Sequence, residues 1–483
     1  MQLLRSIQKC TKKIAKGLKT CTGNSNSSKT NPCPPLELSL SSFGNESETT
    51  EQKASREKLA RVMQQSEKKQ RRIQDVRVTI IDHPQENALS AEEQEKLALC
   101  CTTLGQLPQL TDLTIRGQPT STNGNTDDNT RASLPRLRMN DLAFILRGSI
   151  DHLQTLALRN LTLVAEDSSE MDDLMKLVGV LQAIHRIELH HCHFDTRQMK
   201  EGQGKQHAHA WDELIQKCAE LPNLVTLHLV TASATEEEMC HRPKIHATTL
   251  KQFYNHASLR DLKLEGYAIQ ANHIQALQAG SNAVVSKLRT LSLECSWNTD
   301  TLHALALYVQ QQSSLKELNL TMTEEHNHTT KKDEKSYPLL AFRNINLAAS
   351  SNPTSSESSA PPTTNHANGP LAVLIRSLAH THLTRVGLHV PKQYLQSIPR
   401  ETWQFLWEYN SILQDLQAPG LSQQIQDDNA FWSNLNKAGR CNLSKTDRVH
   451  PDVLVKVLAH PDTIDSVQGL YYFLSATHPC LIR

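Results

Sequence analysis

The densest run of metal-capable side chains is His190, His191, Cys192 and His193, with His207 and His209 shortly after. Neutral imidazole and thiolate both ligate zinc, and bound zinc can activate water for hydrolysis. A zinc-dependent enzyme at the His190–His209 cluster is therefore one chemical reading of the chain. The spacing, however, matches no familiar zinc motif. In the plainer alternative, Cys192 packs inward in a turn and His191 and His193 flank it. Cys240-His241 is a thinner signal. Cys100-Cys101 falls in an expected helix, where at least one thiol faces the core. The sequence has no glycine-rich phosphate loop, no Gly-x-Ser-x-Gly turn and no His-Glu-x-x-His. The expectation is a chain without catalytic residues, resident metal or cofactor.

The elements that place these residues follow from a repeated apolar signature. An apolar residue is followed after two positions by a second, and after one more by a third. Leu110, Leu113, Ile115 is the first clear copy. Next come Leu153, Leu156, Leu158; Ile184, Ile187, Leu189; and Leu224, Leu227, Leu229. The series continues as Leu259, Leu262, Leu264; Leu288, Leu291, Leu293; Leu315, Leu318, Leu320; and Leu383, Val386, Leu388. Weaker copies flank it at Ile73, Val76, Val78 and at Leu413, Leu416, Ala418, giving about ten in all. The shortest step, from Leu288 to Leu315, is 27 residues, near the upper end of the leucine-rich-repeat range.

Two apolar residues spaced by two point to one side of a strand. Something must cover that side, and segments 90–105, 170–182 and 299–312 have helical spacing. Ser90 with Glu93, and Ser169 with Asp172, have capping-box spacing at two of these starts. One strand–helix unit cannot bury its own apolar face, whereas a stack of them makes a continuous core. The expected fold is α/β: a leucine-rich-repeat solenoid, a horseshoe with parallel strands on the concave face and helices on the convex face.

Composition sets the boundaries. Aromatic residues are only 4%, so the core must be built from Leu, Ile and Val. A net charge of +1 argues against a globally basic nucleic-acid binder. No stretch has the apolar length of a membrane span, and there is no secretory h-region. Eleven cysteines without repeated spacing suggest free thiols in a reducing, cytoplasmic setting. Residues 1–50 read as a disordered basic tail and 51–72 as a charged helix. Residues 73–443 are the repeat array, with a disordered polar insertion at 323–369, and 444–483 form a helical cap. Within the tail, residues 1–20 hold Arg5, Lys9, Lys12, Lys13, Lys16 and Lys19. They are open to three readings: a flexible tail, a membrane-surface helix or an organelle presequence. Binding of RNA or an anionic membrane through this terminus is the alternative to a binding array.

The pattern resembles the ribonuclease-inhibitor-like subgroup of leucine-rich-repeat proteins. The best match is Ile184, Ile187, Leu189, Cys192 and Phe194. That resemblance implies an inward Asn or Cys bonding the turn after each strand. Leu161, Tyr267 and Ser296 depart from it at the corresponding place. The stretch 431–443, with VLVKVL and GLYYFLSATHPCLI beyond it, resembles the tail of repeat proteins from unicellular algae. The resemblance implies a binding role with no particular partner.

The residues beside the inward leucines then form the reading face. Arg77, Arg116, Arg159, Arg186, His190 and His228 make its first half basic. Asp261, Glu265, Glu294 and Glu317 make its middle acidic, and Arg385 and His389 end it. Strand spacing of about 4.8 Å sets Arg116 beside Arg159 and Glu265 beside Glu294. The expected function is a non-enzymatic scaffold for protein partners, steered by complementary charge.

Overall fold

The computed structural model describes residues 35–41, 50–65, 73–81, 91–118, 134–165, 168–195, 207–231, 245–279, 286–296, 299–323, 369–437 and 440. The expected basic segment at 1–20, nearly all of the insertion at 323–369 and the cap at 444–483 lie outside the described residues.

Eleven strands form one parallel sheet, laid down in chain order. They are β1 (Leu36–Ser41), β2 (Asp75–Ile81), β3 (Asp112–Gln118), β5 (Thr155–Arg159), β7 (Arg186–His190) and β9 (Thr226–Val230). β10 (Asp261–Ile269), β11 (Thr290–Ser296), β12 (Glu317–Thr323), β13 (Arg385–His389) and β14 (Asp415–Gln417) complete it. Three short strands, β4 (Arg136–Arg138), β6 (Thr162–Val164) and β8 (His193–Asp195), pair in a second parallel sheet. The first five helices are α1 (Thr50–Met63), α2 (Ala91–Gly105), α3 (Met139–Gly148), α4 (Ser168–Gly179) and α5 (His207–Glu220). After them come α6 (Ala247–Asn255), α7 (Ala271–Ala279), α8 (Thr299–Gln311), α9 (Pro370–Leu378), α10 (Lys392–Gln396), α11 (Arg400–Tyr409) and α12 (Gln423–Lys437). From α1 to α9, consecutive helices pack against one another.

All ten copies of the apolar signature place residues in strands of the large sheet, with Ala418 one residue past β14. Its three positions are buried in every clear copy, as with Leu110, Leu113 and Ile115. They join one continuous apolar cluster running from Leu36 to Ile425. Each fully buried leucine contributes about 2 kcal/mol, so the signature is the main source of cohesion.

The backbone repeats as strictly as the side chains. The carbonyl two residues ahead of a strand's first inward residue accepts two successive N–H groups from the next unit. Gln74 O takes Thr111 and Asp112, Thr111 O takes Gln154 and Thr155, and Gln154 O takes His185 and Arg186. The same pair recurs at every step to Thr384 O, at 2.7–3.2 Å. One geometry is thus imposed on each strand entry, which keeps successive strands in register.

β1 is an addition to the sequence reading, which placed 1–50 in a tail. Its backbone edge is covered by α1: Ser39 N–H donates to Ser55 Oγ at 2.9 Å and Lys58 Nζ to the Glu37 carbonyl at 3.0 Å. At the other edge, Asn429 Nδ2 on α12 donates to the Leu416 carbonyl at 3.0 Å. Side chains thereby occupy sheet edges that would otherwise pair with another chain. The α4 start also differs from the capping-box reading. The helix begins at Ser168, so Ser169 sits inside the first turn. Among the described residues no helix is long and apolar enough to cross a membrane.

Candidate functional site

The alternating strand geometry turns one side chain in two away from the helices. In β5, β7 and β9 these outward residues are Thr155, Ala157 and Arg159; Arg186, Glu188 and His190; and Thr226, His228 and Val230. Register aligns them in rows across the sheet. Ala157, Glu188, His228 and Lys263 share one row, and Arg116, Arg159, His190 and Val230 share the next.

Glu188 is the centre of this face. Its side chain is only 3% exposed, and both oxygens are held by guanidinium groups. Arg159 Nη2 donates to Oε2 at 2.7 Å from the preceding strand, and Arg186 Nε donates to Oε1 at 2.6 Å from the same strand. Burial pushes the carboxyl up, but the hydrogen bonds and charge of the two arginines outweigh it. Glu188 consequently lies below its ordinary value and stays ionised. On the next strand, His228 Nδ1 lies 3.7 Å from Glu188 Oε1, and its Nε2 lies 3.0 Å from Asp261 Oδ2.

His190 meets His228 edge-on, with ring centres 6.0 Å apart. Its Nε2 is buried without a hydrogen-bond partner among the described residues, 3.9 Å from Glu188 Oε2. Burial lowers the His190 imidazole to about 4; Glu188 opposes that shift, while Arg159, His228 and Lys263 reinforce it. The ring is neutral at physiological pH.

The expected division into a basic half and an acidic middle is replaced by local pairing. Arg77 pairs with Asp75 at 3.1 Å, Lys263 with Glu265 at 3.0 Å, and Arg385 with Glu317 at 3.7 Å. Arg116 stands beside Arg159 as expected; it is exposed and has no ion pair among the described residues. Glu265 and Glu294 are not neighbours in the ladder. The β10–β11 register holds to Leu264 and Leu293 and then shifts. The shift turns on Gly266, at a φ of 82°, whose N–H donates to Glu294 Oε2 at 2.6 Å. A side chain there would collide with Thr231 Oγ1, so glycine is required. His389 is exposed at the far end.

Among the described residues, the sequence cluster of histidine and cysteine does not converge. Cys192 is buried, its Sγ donating to the Leu158 carbonyl at 3.4 Å, and burial pushes its thiol up to about 12. It is therefore a neutral packed thiol, as the inward-turn reading expected. His191 is exposed in a left-handed turn residue (φ 52°), and His193 is exposed on β8. His207 and His209 fall at the start of α5, their side chains outside the described residues, and Cys240-His241 lies wholly outside them. Cys100 and Cys101 are both buried.

The structure instead groups His190 with Glu188 and His228, their ligand atoms all within 4.8 Å of one another. Linear spacing hid this set because its members come from two strands. The repeat register carries the signal, since it places Glu188 directly opposite His228. A scan against protein-family models finds no match, and a search of curated proteins finds none.

Proposed function

We propose that this chain is a leucine-rich-repeat solenoid of the ribonuclease-inhibitor-like type, acting as a non-enzymatic cytoplasmic scaffold that binds protein partners on its strand face. The observation that carries the reading is the in-register row structure of the outward face. Eleven parallel strands hold polar and charged side chains at fixed lateral intervals, while the helices pack against the inward residues. A broad surface of this kind suits a macromolecule better than a small substrate. The pairs Arg159–Glu188, Arg186–Glu188 and His228–Asp261 hold long side chains in place before a partner arrives. Order present beforehand lowers the entropic cost of association.

Arg77 and Arg116 lie on adjacent strands of the face, and both are exposed. Proximity labelling with the full-length chain tests the proposal. Reversing both charges (R77E/R116E) is expected to remove a set of labelled proteins. Reversing Lys176 and Lys251 on α4 and α6 (K176E/K251E) is expected to keep that set. An equal response to the two pairs would mean that the strand face is not the reader.

A further inference from the structure

We propose that Glu188, His190 and His228 form a binding site for one divalent transition-metal ion of the zinc class. The donors are His190 Nε2, His228 Nδ1 and a Glu188 carboxylate oxygen. Such an ion has bonds of about 2.0–2.2 Å, which puts tetrahedral donors about 3.3–3.5 Å apart. His190 Nε2 stands 3.9 Å from Glu188 Oε2 and His228 Nδ1 stands 3.7 Å from Glu188 Oε1, and one ligand atom from each of the three residues lies within 4.8 Å of the other two. Closing the set on one ion needs shifts of up to about 1.5 Å.

Two further features fit a ligand set better than an ordinary surface cluster. Asp261 accepts from His228 Nε2, which fixes the ring tautomer and leaves the Nδ1 lone pair turned toward Glu188. A carboxylate behind a ligating imidazole is the usual outer-shell support. His190 Nε2 is buried and lacks a hydrogen-bond partner among the described residues, a costly state that a metal bond relieves.

The surrounding charges set the character of the site. Arg159 on β5 and Arg186 on β7 each take one lone pair on a different Glu188 oxygen, and each oxygen has a second. Lys263 on β10 adds a third positive group, while Asp261 adds an anion beside His228. This balance weakens cation binding and favours an anion, such as hydroxide or a carboxylate, as the remaining ligand. The site shares only His190 with the sequence cluster, and it stands whether or not the face binds a protein.

Full-length protein stripped with chelator is titrated with cobalt(II), whose visible absorption reports tetrahedral nitrogen and oxygen coordination, and then with competing zinc. One ion per chain is expected to bind in the micromolar range. His190→Gln and His228→Gln should each abolish the spectrum, and Asp261→Asn should weaken binding by about 10–100-fold. His191→Gln, on the adjacent exposed turn, should leave it unchanged. Absence of binding, or binding indifferent to His190→Gln and His228→Gln, overturns the proposal. X-ray absorption at the zinc edge of the unmutated protein needs no variant to fold. Two imidazoles with oxygen ligands support the site, and a sulfur-containing shell overturns it.

Discussion

Glu188 shows how a buried charge is tolerated on a surface that faces water. Its two arginine partners are about half exposed, with side chains at 47% and 51%, so they can be solvated alone. Glu188 at 3% cannot. The two halves of the pair are therefore unequal. Removing both arginines (R159A/R186A) strands a buried carboxylate and should cost about 3 kcal/mol or more. Glu188→Gln leaves two solvated cations and should cost about 1 kcal/mol. Thermal unfolding of the two variants checks the order, and equal losses would contradict it.

His190 adds a pH dependence of definite sign. Its folded value of about 4 lies below the ordinary 6.5, so the unfolded chain binds the extra proton more readily. The His190 contribution is complete above pH 6.5 and is lost as pH falls toward 4. In a Tm-against-pH series, His190→Gln should flatten the slope in that window. The sequence already marked His190 and His228 as outward. It could not show that Arg159 reaches across a strand to Glu188, because a long side chain's reach is set by its neighbours rather than by period.

Among the elements, the repeat signature predicted strands well because three buried positions per copy leave only one register. The misses have equally plain causes. β1 has alternating Leu36, Leu38 and Leu40 but lacks the upstream leucine of the other copies, so it did not match their signature. β4, β6 and β8 are three residues each, too short for periodicity to register. A close approach of two helix ends was also invisible in sequence. A Cβ on Gly148, at the end of α3, would lie 1.5 Å from the Gly105 carbonyl at the end of α2. Gly148→Ala must push two helix ends apart and should cost about 3 kcal/mol. His191, by contrast, holds a left-handed conformation with its side chain exposed. His191→Gly should raise stability by up to about 1 kcal/mol, the relief of strain being partly offset by chain entropy. Denaturant midpoints for the pair test both signs, and a stabilising Gly148→Ala would contradict the packing.

For the molecule as a whole, the α/β architecture separates two jobs. The inward side chains and the recurring carbonyl pair hold each strand to the next, and the helices at both ends guard the sheet edges. The outward side chains lie on the opposite side of the sheet from that framework, as the proposed recognition surface requires. Site-specific photocrosslinking tests this division most directly. A photoreactive residue is placed at Thr114, Thr226 or Thr290 on the strand face, and at Lys176, Val180 or Lys251 on the helical side. The proposal predicts a discrete covalent adduct in cells from the strand-face positions and none from the helical ones. Adducts from the helical positions alone would contradict it.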